Sequence, residues 1–130
     1  MRQYRIFTVM LAFVLFYGIG CAQEKEMDST KARDITVEQL KEKMKTDTSL
    51  VVLDVRTPEE LKGPLGKIDG AVNIPVDQLE SRIGEVEKYK DKDIAVICRS
   101  GHRSKRAQGI LESHGIKALN VLGGMTEYRK

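Results

Sequence analysis

The chain has no tryptophan, and only two cysteines, two histidines and three prolines among its 130 residues. It shows no metal-ligand cluster, no phosphate-binding glycine loop and no dinucleotide fingerprint, so no cofactor is expected. Heptads are absent as well, which removes a coiled-coil oligomer and leaves a monomer as the default. No internal repeat or low-complexity tract appears. A large excess of one charge is also missing. The formal charge is +3, and Arg2 and Arg5 supply two of those positives from a segment expected to be removed. The near-neutral remainder makes no case for nucleic acid. Its composition, 41% apolar and 32% charged, is that of one ordinary globular domain.

The most informative stretch is Cys98-Arg99-Ser100-Gly101-His102-Arg103-Ser104. Asp93 to Ile97 before it reads as a buried strand that stops at the sulfur. A helix is predicted from Ser104 to His114, with Ala107, Ile110 and Leu111 at helical spacing and Gly115 as its C-terminal stop. The N-terminus of that helix would face Cys98. Unsatisfied N–H groups and the positive end of the helix dipole favour a thiolate there, and equally a bound oxyanion. Arg99, Arg103, Lys105 and Arg106 gather around this loop, a local attraction for a small anion.

The first residues have the three parts of an export signal. Arg2 and Arg5 are the positive region, Ile6 to Phe16 is apolar apart from Thr8, and Tyr17-Gly18-Ile19-Gly20 brings small residues just before Cys21. The apolar run is short for a spanning helix, which needs about 20 residues. Small residues immediately before a cysteine resemble the lipobox of bacterial lipoproteins, although Gly18 stands where that pattern usually has leucine. The resemblance implies export to the periplasm or cell envelope, with lipidated Cys21 holding the chain to a membrane. An ordinary cleaved signal with an incidental Cys21, or an uncleaved anchor, would be the plainer readings. Residues 1–20 are therefore expected to be a signal peptide and 21–33, polar and without apolar period, a tether. Residues 34–130 are expected to be the folded domain.

Within that domain, Thr36 and Gln39 form a capping-box pattern ahead of an apolar stripe of Val37, Leu40 and Met44. Leu50 to Val55 is the near-continuous aliphatic run of a strand buried on both faces of a parallel sheet. Thr57-Pro58-Glu59-Glu60 starts a short helix, and Gly63-Pro64-Leu65-Gly66 breaks it. Ala71 to Ile74 reads as a strand. Asp77 with Glu80 is expected to cap a helix carrying Leu79, Ile83, Val86 and Tyr89, and the alternation continues to Val121. The fold class is α/β, a small domain with a mostly parallel central sheet and helices on both faces. Ligands of such sheets bind beyond the carboxyl ends of the strands, where Cys98 lies.

From about Ile35 to Tyr128 the chain resembles a single rhodanese domain of the sulfurtransferase family. Three pieces carry the resemblance: Leu53 to Glu60, Gly66 to Pro75, and the Cys98 loop, with Leu122-Gly123-Gly124-Met125 closing the domain. Lys67 stands where the family commonly has histidine, and Tyr128 where it has tryptophan. The resemblance implies that the Cys98 thiolate takes sulfane sulfur from thiosulfate or a related anionic donor. It would hold that sulfur as a persulfide and yield it to a thiol or cyanide. The N–H groups of Arg99 to Ser104 would stabilise both anionic forms, and Gly101 would permit the turn. Arg99 and His102 are the expected donor contacts, with His102 equally readable as a solvated loop residue. Ser100 and Ser104 are expected as loop and N-cap residues.

Arg103 either touches substrate or holds the loop by pairing with a carboxylate such as Asp54. Asp54, Arg56, Glu59 and Glu60 are expected to be fold-holding charges. Phosphatases and arsenate reductases of related fold place five residues between cysteine and arginine, whereas four separate Cys98 from Arg103. The shorter loop suits a sulfur atom. A tethered sulfur carrier or interaction module is the non-enzymatic alternative, and it needs the same reactive thiol.

Overall fold

The computed structural model describes residues 33–130. The expected export signal, Cys21 and the expected tether up to residue 32 lie outside the described residues. Arg33, expected as the end of the tether, has its carbonyl held by the backbone N–H of Asn120 at 2.8 Å and by Gln108 Nε2 at 2.9 Å.

Five strands form one sheet: β1 (Asp34–Ile35), β2 (Val51–Asp54), β3 (Val72–Asn73), β4 (Ile94–Ile97) and β5 (Leu119–Val121), in the order β1-β5-β4-β2-β3. Every pairing is parallel, with Leu53 opposite Val96 and Val96 opposite Asn120 across the centre. Adjacent side chains of a strand leave opposite faces, so the aliphatic runs feed two cores. Leu53 and Val96 pack with Leu79, Ala107 and Leu111 on one face, whereas Val52, Ala95 and Ile97 pack with Leu40, Val121 and Met125 on the other. The helices are α1 (Val37–Thr46), α2 (Pro58–Leu61), α3 (Val76–Leu79), α4 (Gly84–Glu87), α5 (His102–Ser113) and α6 (Gly124–Tyr128). This is the α/β architecture expected, with helices contributing to both cores.

Local signals held where a side chain caps a helix. Both the Thr36–Gln39 and Thr57–Glu60 capping boxes form. Three expectations need correction. Helix α5 starts at His102 with Gly101 as its N-cap, so Ser104 is not a cap but a fully buried residue of the first turn. The helix expected over residues 77–89 is two one-turn pieces, α3 and α4, and Pro75 precedes α3 without a side-chain cap. Residues 80–83 form the turn between them, and Gly84, a poor helix former in what would be the interior of one long helix, opens the second piece. Met44 ends the α1 stripe exposed. Strand β1, too short for any periodicity, forms by pairing Asp34 with Asn120.

Because all strands run the same way, their carboxyl ends share one edge: Asp54 of β2, Cys98 after β4, and Gly123-Gly124 after β5. A buried ion pair braces that edge. Arg56 and Asp54 are each 1% exposed. Arg56 Nη2 donates to Asp54 Oδ2 at 2.6 Å and Nε to Oδ1 at 3.0 Å, and Nη2 also donates to the Gly66 carbonyl at 2.8 Å. Both were expected to hold the fold, and here they hold each other. Breaking such a pair costs more than removing both partners, because one charge is left buried and unpaired. Arg56→Met is therefore expected to destabilise the domain by about 3–5 kcal/mol in urea unfolding. Asp54→Asn in the same chain should recover part of that loss.

Candidate active site

Strand β4 is wholly buried and delivers Cys98 to the sheet edge at 1% exposure. The chain then turns tightly through Arg99, Ser100 and Gly101. Gly101 has φ +104, a conformation that L side chains rarely adopt. The turn brings the Gly101 N–H to 3.1 Å from the Cys98 Sγ and the Ser104 Oγ to 3.4 Å. Burial pushes the thiol pKa up. The Ser104 hydroxyl, with the N–H groups of Ser104, Gly101 and Ser100, more than offsets this, so the net shift is downward.

Helix α6 orients the loop from outside. The Met125 N–H donates to the Cys98 carbonyl at 2.8 Å and the Thr126 N–H to the Arg99 carbonyl at 3.0 Å, joined there by Thr126 Oγ1 at 2.9 Å. In a trans peptide the N–H points opposite to its carbonyl. Holding those two carbonyls on α6 therefore turns the Arg99 and Ser100 N–H groups away from it, and Ser100's acts on the sulfur. Gly124 makes the approach possible: with φ +57, a Cβ there would collide with the Cys98 carbonyl oxygen and lie 2.7 Å from that of Arg99.

The expected site residues separate into distinct environments. Arg103 pairs with Glu60, not Asp54, through two bonds of 2.7 Å. Asp54 is already taken by Arg56. Glu60 also accepts from the Thr57 N–H at 3.1 Å, so one carboxylate joins α2 to the first turn of α5. The Arg103 guanidinium, against a smaller opposing effect of burial, brings the Glu60 pKa down to about 2. Arg99 is exposed and lines a cavity of about 310 Å³ with Glu60, Pro64, Leu65 and Thr126. Ser100, Gly101 and His102 line a separate groove with Lys105, Asn120 and Leu122. His102 Nδ1 sits 3.2 Å from Ser100 Oγ. Arg99 and His102 thus face different hollows. Among the described residues no group of three or more His, Cys, Asp or Glu side chains is placed to hold a metal ion.

Residues 36–130 match the model of the rhodanese-like domain. The chain belongs to the rhodanese-like domain family. A sulfurtransferase of Allochromatium vinosum is 31% identical over 98 residues, which cover 75% of this chain and 88% of that protein. YrkF of Bacillus subtilis, named for sulfur carriage, is 36% identical over 96 residues; they span 73% of this chain but only half of YrkF. The crystal structure of SSP1007 from Staphylococcus saprophyticus superimposes with a TM-score of 0.67 at 34% identity, covering 74% of this chain and 92% of that one. The rhodanese-like fold expected from the sequence is therefore present.

Sequence reasoning missed three parts of this rhodanese-like loop: the Glu60 partner of Arg103, the α6 amides, and Asn120, whose side chain accepts from Ser104. A glycine pair directly after a strand, Gly123-Gly124, was the available signal for the second. Gly124→Ala is expected to cost about 2 kcal/mol or more. Gly70→Ala should cost less, because at φ +76 it strains the backbone but meets nothing within 4 Å; thermal unfolding of both variants checks this. The Glu60–Arg103 pair stabilises fully above pH 4.5, where unfolded glutamate is ionised, and that contribution is lost as pH falls towards about 2. The stability gap between the parent and Glu60→Gln should accordingly narrow on acidification across that window.

Proposed function

We propose that the protein is a sulfurtransferase that moves sulfane sulfur from thiosulfate or a related donor to a thiol or cyanide through a persulfide on Cys98. The observation that carries this reading is the recessed sulfur with amide and hydroxyl groups converging on it. The Cys98 thiolate attacks the sulfane sulfur, a new S–S bond forms, and the donor S–S bond breaks with its electron pair leaving on sulfite. An acceptor thiolate or cyanide then attacks the outer sulfur, and the Cys98 thiolate departs. Both resting and loaded forms are anions, and the Ser100, Gly101 and Ser104 donors stabilise them without a general base.

At 1% exposure the sulfur accepts only a terminal atom at the end of a slender donor. Arg99, exposed and with no bonded partner for its guanidinium among the described residues, is the group that would draw the donor's oxygens, and His102, which lines the separate groove, is the second candidate. Arg103 is committed to Glu60 and so acts by holding the loop. That commitment, together with the four-residue spacing, argues against a phosphatase or arsenate reductase, which would need Arg103 free to grip a tetrahedral oxyanion.

A tethered sulfur carrier is the second reading, favoured by the likeness to YrkF. The N-terminal segment adds the location: export by residues 1–20, lipidation of Cys21, and residues 21–33 as a tether holding a monomeric domain to the membrane in the periplasm or cell envelope.

Intact mass after thiosulfate exposure should show one added sulfur, absent in Cys98→Ser. No added sulfur on Cys98, or unchanged turnover in that variant, would refute transfer through this residue. Turnover assayed with thiosulfate, a low-molecular persulfide and mercaptopyruvate separates the two readings: sustained turnover with any donor supports the enzyme, and loading without turnover supports the carrier.

A further inference from the structure

The Ser104 hydroxyl has one proton and too many claimants. Its Oγ lies 2.7 Å from Asn120 Oδ1, 3.1 Å from the Gly101 carbonyl oxygen and 3.4 Å from the Cys98 Sγ. Ser104 and Asn120 are buried, at 0% and 2% exposure, so water does not arbitrate. The Asn120 amide faces Ser104 with its oxygen for a reason outside the loop. Its Nδ2 donates to Asp34 Oδ1 at 3.1 Å, and Lys105 Nζ donates to the same oxygen at 3.0 Å. A carboxylate accepts only, so Asp34 requires the nitrogen end of Asn120 on its side. The oxygen end is thereby committed to Ser104.

Two states follow. With Cys98 as a thiol, Ser104 donates to Asn120 and its oxygen is free to accept from the thiol. With Cys98 ionised, the sulfur has no proton to give, and Ser104 must turn its own proton from Asn120 to the sulfur to stabilise the charge. Asn120 thus competes with the thiolate for one proton.

We propose that Asn120, oriented by Asp34, is a positioning residue that sets the proton affinity of Cys98 through the Ser104 hydroxyl. The inference rests on Cys98 being the reacting group, but not on its carrying sulfur. The arrangement also ties β1, at the start of the domain, to the sulfur: Asp34 fixes Asn120, Asn120 holds Ser104, and Ser104 meets Cys98.

The other charged and titratable groups around this chain are Arg99 and His102 of the loop and α5, Arg103 paired with Glu60 of α2, and Asp54 paired with Arg56. The Asp34–Lys105 pair closes the far end. Asn120 carries no charge, so replacing it leaves all of these in place.

The test is the pH dependence of iodoacetamide alkylation at Cys98, read by peptide mass spectrometry on the full chain. Asn120→Ala is expected to lower the apparent pKa of Cys98 by about half a unit to one unit, the size of one hydrogen bond redirected. Ser104→Ala should raise it. The double variant should match Ser104→Ala alone, because without the hydroxyl Asn120 has nothing to compete for. If Asn120→Ala fails to fold, Asp34→Ala at the exposed end of β1 frees the Asn120 amide to rotate. It should then lower the pKa more in the parent than in the Ser104→Ala background. No shift, an upward shift in Asn120→Ala, or an equal downward shift in both backgrounds would overturn the proposal. Alkylation needs no sulfur donor. Failure of persulfide formation with these shifts intact would therefore remove the transfer reading and leave the proton competition standing.

Discussion

The pinning of two carbonyls governs this site. Cys98 and Arg99 follow directly on the parallel strand β4, where their hydrogen-bonding groups would ordinarily continue the ladder, but their carbonyls are captured by N–H groups in the first turn of α6. An amide plane cannot present both its ends to the same partner. Once the oxygens face α6, the following N–H groups face away from it. Gly101 completes the turn and opens α5, whose Ser104 supplies a further N–H and a hydroxyl. The Ser104 hydroxyl and main-chain N–H groups held from outside favour the sulfur as an anion, and among the described residues no positive side chain is bonded to it.

Charge is used at one remove. Arg103 feels the Cys98 charge but is bonded to Glu60, so its role is to hold α5 against α2 and not to neutralise the thiolate directly. Beneath it, Asp54 and Arg56 are satisfied within the fold, and Asn73 Nδ2 ties the Asp54 and Arg56 carbonyls at 3.0 and 2.9 Å. Near the sulfur the stabilising groups are fixed dipoles, and the ion pairs farther out are balanced within the fold. Burial opposes this by raising the cost of any charge, and the donors around the sulfur win that contest.

Much of this architecture was legible in the residues. Aliphatic runs at Leu50–Val55 and Asp93–Ile97 have the length and branching that a doubly covered parallel strand requires, and both are strands. Capping boxes were legible because Thr36 with Gln39, and Thr57 with Glu60, are contacts between near neighbours. The Cys98 loop stood out as a strand, a thiol and a glycine in the right order. What stayed hidden was long-range pairing. Glu60 and Arg103 are 43 residues apart, and nothing local distinguishes Glu60 from Asp54 as the partner. Asn120 and Asp34 are 86 residues apart, and β1 exists only because β5 is there to pair with it. Serine favours caps, which makes Ser104 the expected one, but Gly101 with its positive φ takes that place and Ser104 lies in the core.

The measurement that bears most directly on the account compares Cys98 with itself, folded and unfolded. The pH dependence of its alkylation rate is followed by peptide mass spectrometry on the native chain and on the same chain in denaturing urea. Donors converging on the sulfur predict an apparent pKa lower in the native chain than in the unfolded one, with alkylation still proceeding in the folded state. A native value equal to or above the unfolded one, or a Cys98 that reacts only after unfolding, would contradict it.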